Sequence, residues 1–206
     1  MRYSFFIDGF NVYHWIDKGP LGDRFKWINY YDLAQKFTPK GHELAEVRYF
    51  TAYADHMPDK KRRHKALCRA LVASGVKLRR GKFKMKDRIC FKCGSRWKAH
   101  EEKQSDINLA IDLLEEAMRD SFDVAVVLSA DTDFAPAVRT VRRLYPEKEV
   151  QLLLPSGMRA DELKQVCSCH KLMYPNQLKS CRLPNAVQYN APAGGRLVIH
   201  CPQEYL

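Results

Sequence analysis

Two stretches of this chain are apolar almost without interruption and each ends in acid. Tyr3-Ser4-Phe5-Phe6-Ile7 closes on Asp8-Gly9, and Val124-Ala125-Val126-Val127-Leu128 leads through Ser129-Ala130 to Asp131-Thr132-Asp133. A strand apolar on both faces must be covered on both faces, which is the situation inside a parallel sheet clothed by helices. The carboxyl ends of such strands share one edge, and ligands bind there. Acids placed directly after two buried strands therefore belong to one locality.

The rest of the pattern alternates strand and helix as a parallel sheet requires. Residues 3–8, 47–54, 76–85, 123–129 and 150–154 read as strands. Asp59 is placed to cap a helix running to Ser74, with Gly75 as its stop. A helix over 104–119 is expected to bury Ile107, Ala110, Ile111 and Leu114, with Ser105 as its cap. Residues 134–144 form a basic helix that tolerates Pro136 in its first turn, and 158–167 look helical. Residues 87–101 read as a compact hairpin-like insert. The stretch 184–206 reads as an irregular tail with one short strand at 196–200.

Asp106 opens the 104–119 helix, where the dipole favours a carboxylate. With Asp8, Asp131 and Asp133 it makes four carboxylates at the predicted catalytic edge. Crowded acids repel one another unless a cation neutralises them, and oxygen-only ligands select a hard ion, Mg²⁺ or Mn²⁺. Asn11 adds a neutral oxygen and an amide beside them, and Ser129 and Thr132 supply hydroxyls. Asp112, six residues after Asp106, faces elsewhere and reads as structural.

Charge is divided unevenly. The net charge is +11, yet residues 60–98 hold sixteen of the 35 Lys and Arg against one acid, Asp87. That segment carries +15 and the remainder −4, so a basic patch is grafted onto a slightly acidic body. Such asymmetry points to a polyanion, held by counterion release from phosphates. Lys60, Lys61, Arg62, Arg63, Lys82, Lys84 and Lys98 are the candidate contacts, with Phe83, Phe91 and Trp97 interleaved for stacking. Lysines in a first helical turn oppose the dipole, so binding rather than stability explains Lys60 and Lys61. RNA is the expected partner, and a homodimer would lengthen the basic track.

Seven irregularly spaced cysteines without an export signal indicate reduced thiols. No window approaches the ~18 apolar residues of a membrane span, and the expected location is cytoplasmic. Cys90-Phe91-Lys92-Cys93-Gly94 is half a zinc site. His100, or Cys167, Cys169 and His170, could complete it; the competing reading is a hairpin with two free thiols.

Three blocks, Phe-Ile-Asp-Gly-Phe-Asn-Val-Tyr at 6–13, Glu-Lys-Gln-Ser-Asp-Ile-Asn-Leu-Ala-Ile-Asp-Leu-Leu at 102–114 and Leu-Ser-Ala-Asp-Thr-Asp-Phe at 128–134, resemble the signatures of the NYN domain. This is the LabA-like branch of the PIN-like ribonuclease superfamily. The resemblance covers residues 1–155 and implies a Rossmann-like, three-layer α/β fold with a mostly parallel sheet. Residues 156–206 would be a C-terminal helix and tail packed on it. It further implies Mg²⁺- or Mn²⁺-dependent RNA cleavage, with Asp8, Asp106, Asp131 and Asp133 as metal ligands and Asn11 in their shell. Relatives typically carry glycine where Ala130 stands. A haloacid-dehalogenase phosphatase needs a carboxylate two residues after its first Asp, where this chain has Phe10. A PIN-like DNA nuclease, or an RNA-binding regulator with little catalysis, remain the alternatives.

Overall fold

The computed structural model describes residues 1–19, 21–190 and 194–206; residues 191–193 of the expected tail lie outside them. Strand β1 (Arg2–Asp8) leads into helix α1 (Gly9–Lys18). A 3₁₀ turn at Asp23–Lys26 precedes α2 (Tyr30–Phe37), β2 (Glu43–Thr51), α3 (Pro58–Ala73) and β3 (Lys77–Arg80). The chain then leaves the sheet in a hairpin, β4 (Lys82–Ile89) and β5 (Arg96–Lys103). It returns through α4 (Ser105–Met118), β6 (Val124–Leu128), a 3₁₀ turn at Thr132–Phe134, α5 (Ala135–Leu144) and β7 (Glu149–Pro155). α6 (Asp161–Val166), β8 (Cys169–Met173), α7 (Pro175–Lys179), β9 (Ala186–Asn190), β10 (Arg196–His200) and a 3₁₀ turn at Gln203–Tyr205 follow.

Six strands form one parallel sheet in the order β3-β2-β1-β6-β7-β8. The order reverses between β1 and β6, which makes their carboxyl ends the crevice where α/β proteins bind ligands. Strand alternation explains the two cores. Phe5 and Ile7 of β1, with Val126 and Leu128 of β6, face a core completed by α1, α2 and α3. Phe6, Ala125 and Val127 face the opposite core with Leu109, Leu113 and Phe134. The sixth strand, β8, lies beyond residue 155.

Four local expectations are corrected. The strand read over 76–85 breaks at Gly81, where a Cβ would meet the Lys103 carbonyl oxygen at 2.5 Å. The hairpin is accordingly longer than 87–101: it pairs Lys82 with Lys103 and Ile89 with Arg96. Helix α3 starts at Pro58, whose fixed φ suits the first helical position, and Asp59 falls inside the first turn rather than capping it. The tail is a hairpin in which β10 pairs antiparallel with β9.

The fourth correction concerns the face of α4. Ile107 and Ile111 are 62% and 52% exposed, while Leu109, Asp112, Leu113, Glu116 and Ala117 are buried. Arg48 of β2 explains this rotation: it pairs with Asp112 and Glu116, each at 2.7 Å, and Arg79 pairs with Asp112 at 2.8 Å. Buried carboxylates so neutralised can occupy a helix face that the apolar count alone would not choose.

Candidate functional site

The site is assembled where β1 and β6 end. Asp8 caps α1: its Oδ1 accepts the Asn11 backbone N–H at 3.0 Å. Its Oδ2 accepts the Ser129 hydroxyl at 2.8 Å, and Ser129 Oγ in turn accepts the Asp131 N–H at 3.0 Å. Asn11 Oδ1 accepts the Ala130 N–H at 3.0 Å. The two strand ends are thus tied by side-chain hydrogen bonds, and α1 is brought in close. Gly9 permits that approach, since a Cβ there would lie 2.5 Å from the Tyr49 ring and 2.7 Å from the Phe50 carbonyl oxygen. Ala130 lies outside the positive-φ region, so its methyl introduces no backbone strain.

Asp8, Asn11, Asp106 and Asp131 line one cavity of about 550 Å³, together with Glu102. Asp133 sits on the exposed 3₁₀ turn beside it, its N–H bonded to Asp131 Oδ1 at 3.0 Å. Burial pushes the Asp8 carboxyl up to about 6, against the hydrogen bonds it accepts, and the charge of Asp131 adds to the rise. Asp106 lies at the exposed cavity mouth, yet the surrounding protein desolvates it. With the charges of Asp8, Glu102, Asp131 and Asp133, that raises it to about 6 as well. These acids share one negative field.

Glu102 escaped the sequence reading. Ser105 does not cap α4; the N-cap is Gln104 at φ +83°, and Glu102 Oε1 accepts the Ser105 N–H at 3.0 Å. A left-handed residue other than glycine leaves no mark in the pattern that would have revealed the turn. The turn brings Glu102 into the cavity two strand positions after His100.

Fit to a divalent cation follows from the donor set. Asp112 has Arg48 and Arg79 as counter-charges, whereas among the described residues none of Asp8, Asp106, Asp131 and Asp133 forms an ion pair. Carboxylate oxygens of this number and charge suit Mg²⁺ or Mn²⁺. No three of the described His, Cys, Asp and Glu converge closely enough to enclose an ion. The acids as placed match a cation in kind and charge without forming a closed cage.

The basic residues separate into groups. Lys60 and Arg63 line the acidic cavity with Lys18 and Lys26. Lys61 and Lys82 line a neighbouring hollow with Lys65 and Arg80, and Lys61 pairs with Asp55 at 2.6 Å. Arg62 and Arg63 both pair with Glu204, at 2.9 and 3.0 Å. Lys84 and Lys98 stand exposed along the hairpin. Phe83 meets Phe10 edge to face at 6.0 Å and His56 at 5.4 Å, and His56 stacks on His100 at 3.7 Å. This aromatic cluster docks the hairpin against the cavity; Phe91 and Trp97 point to solvent farther out.

Cys90 and Cys93 are free thiols at the hairpin tip. Hydrogen bonds from the Ser95 hydroxyl and backbone, then from Cys90, bring the Cys93 thiol down to about 7. His100 is engaged with His56. Cys169 and His170 lie on β8, at the opposite edge of the sheet from β3. Cys167 is buried at the end of α6, and among the described residues no third His, Cys, Asp or Glu joins the pair.

The NYN domain family model matches residues 2–173. The chain belongs to the NYN domain family. NYN domains are part of the PIN-like nuclease superfamily, whose members typically use divalent metals, and the matched range takes in all six parallel strands. The chain is similar to 6-hydroxy-3-succinoylpyridine 3-monooxygenase HspA of Pseudomonas putida, with 26% identity over 93% of this chain and 73% of that protein. Among solved structures it resembles a protein of unknown function from Vibrio parahaemolyticus, with a TM-score of 0.54. The identity there is 18%, over 84% of this chain and 92% of the other, a likeness of fold. No helix among the described residues of this NYN protein is long and apolar enough to cross a membrane.

Proposed function

We propose that this NYN protein is a Mg²⁺- or Mn²⁺-dependent endoribonuclease. The observation that carries the reading is one cavity at the β1–β6 switch point holding Asp8, Asp106 and Asp131, with Lys60 and Arg63 on its wall. Acids without cationic partners suit a metal ion, and cations beside them suit phosphates.

The chemistry supplied by the ion is neutralisation of charge at the scissile phosphate and activation of water. Asp8 and Asp131 would hold it from the two strand ends, with Asp106 from the facing helix. Hydrogen bonds from Ser129 and Asn11 keep Asp8 in one rotamer, which is the preorganisation such a centre needs. With its oxygen committed to Ala130, Asn11 has its side-chain NH₂ left to donate to a phosphate oxygen or a water. Lys60 and Arg63 anchor the backbone of the strand, and Phe10 and Phe83 offer a base an aromatic wall.

The test is cleavage of labelled single-stranded RNA and DNA with Mn²⁺, Mg²⁺ or EDTA, for wild type, Asp8→Asn and Asp131→Asn. Metal-dependent RNA cleavage lost in both variants, with RNA affinity retained, supports the reading. Cleavage of DNA alone would redirect it to a DNA nuclease. Salt-sensitive RNA binding with equally negligible cleavage in all three proteins would make the chain an RNA-binding regulator.

A further inference from the structure

We propose that Cys90 and Cys93 form half of a structural zinc site, completed by the same pair from a second copy of this chain, so that zinc joins two hairpin tips. The inference does not depend on the nuclease reading.

The turn has the form of a metal knuckle. Cys90 donates its N–H to the Ser95 carbonyl at 2.8 Å, and Gly94 donates to the Cys90 carbonyl at 2.8 Å. Gly94 takes φ +70°, a conformation that suits glycine. The Ser95 hydroxyl lies 3.2 Å from the Cys93 sulfur. These backbone bonds close a tight turn that carries the two cysteines three residues apart, the spacing of a zinc knuckle.

Structural zinc is almost always four-coordinate and closed by protein ligands. Among the described residues the chain does not close this site. Strand β5 carries His100 four residues from Arg96, the partner of Ile89 at the tip, roughly 13 Å along a strand. Cys169 and His170 are separated from the hairpin's edge of the sheet by the width of six strands, roughly 24 Å at normal spacing. Among the described residues no third ligand accompanies the pair. Two tips supply four thiolates.

Charge and surface agree with this occupant. Arg88, Lys92 and Arg96 crowd the tip, so two bare tips would repel. A Zn²⁺ with four thiolates carries a charge of −2 and sits at the centre of those cations, offsetting their repulsion. Phe91 is fully exposed, and Ile89 and Trp97 are 47% and 50% exposed. Apolar side chains gathered at an exposed strand end are what a partner surface covers.

The experiment uses the full chain under reducing conditions, stripped with EDTA and then titrated with Zn²⁺. Zinc is measured by mass spectrometry and molar mass by light scattering. The expected result is one zinc per two chains and a mass of twice 23.9 kDa, reverting to monomer with EDTA. Cys90→Ser and Cys93→Ser should each lose both zinc and dimer with an unchanged far-ultraviolet spectrum. Co²⁺ in place of zinc should show the absorption of a tetrahedral thiolate site. One zinc per monomer, no zinc retained at all, or a dimer that survives both EDTA and Cys93→Ser would each overturn the proposal.

Discussion

Asn11 and Ala130 are joined by a 3.0 Å hydrogen bond from the Ala130 backbone N–H to the Asn11 side-chain oxygen. This bond spans 119 positions of sequence and links the helix after β1 to the loop after β6. It holds Asp8 and Asp131 in a common frame, because each acid lies within three residues of one end of the bond.

Asn11→Ala should therefore cost about 1–2 kcal/mol in urea unfolding, since it leaves the half-buried Ala130 donor without its partner. Cleavage should fall by roughly 10²-fold, the scale expected when reacting groups lose their alignment. A variant as stable and as active as wild type would remove the structural role assigned to this contact.

His64 sets a pH dependence of stability. Burial alone holds its imidazole down to about 4, against the ordinary value of 6.5, and its Nε2 lies 3.1 Å from Thr51 Oγ1. Because the folded value lies below the unfolded one, the unfolded chain takes up the proton first as acid is added. The stability is present above about pH 6.5 and is lost as the pH falls through about 4, on the order of 2–3 kcal/mol. His64→Gln, compared with wild type by urea unfolding at about pH 7.5 and about pH 4.5, should show a smaller acid loss. Parallel losses in the two proteins would place the acid sensitivity elsewhere.

Asp112 tests the distinction between a structural acid and a site acid. Asp112→Asn leaves Arg79 without its carboxylate and Arg48 with only Glu46 and Glu116. Stability should drop by about 3 kcal/mol, while kcat of the folded protein stays within about twofold, below the loss expected from misaligned reacting groups. A selective loss of kcat at unchanged stability would show that the residue belongs to the chemistry.

Glu204 holds two of the basic residues that the sequence offered to RNA. Glu204→Gln should release Arg62 and Arg63 to phosphates, tightening RNA binding about two- to fivefold at low salt and steepening its salt dependence by roughly one ion. Fluorescence anisotropy across a salt series reads both effects. An unchanged slope would mean that these arginines face away from the bound strand.

How legible this molecule was in its sequence varied with the physics of each residue. Asp8 and Asp131 could be placed because a strand buried on both faces admits few neighbours, and its carboxyl end has one location. The exposed face of α4 was misassigned because Ile107 and Ile111 mark an apolar stripe as good as that of Leu109 and Leu113. The choice was made by Arg48, on a strand about 60 residues earlier, and helical spacing carries no trace of such a partner. Gly81 looked like an interior strand residue; its meaning depends on the Lys103 carbonyl packed against it. Glu102 and the C-terminal pairing of β9 with β10 depended likewise on contacts made after the chain has folded.

The hairpin leaves the sheet at Gly81 and delivers the chain, at its other foot, to Ser105 and Asp106. Its eight-residue strands make an arm of roughly 27 Å, pivoted beside the carboxylates. Each degree of rotation at the foot then moves the tip by about 0.5 Å, taking that arm as rigid. Phe83 against Phe10 and His56, and His100 stacked on His56, fasten that foot, so the tip reaches outward from a base held beside Asp106.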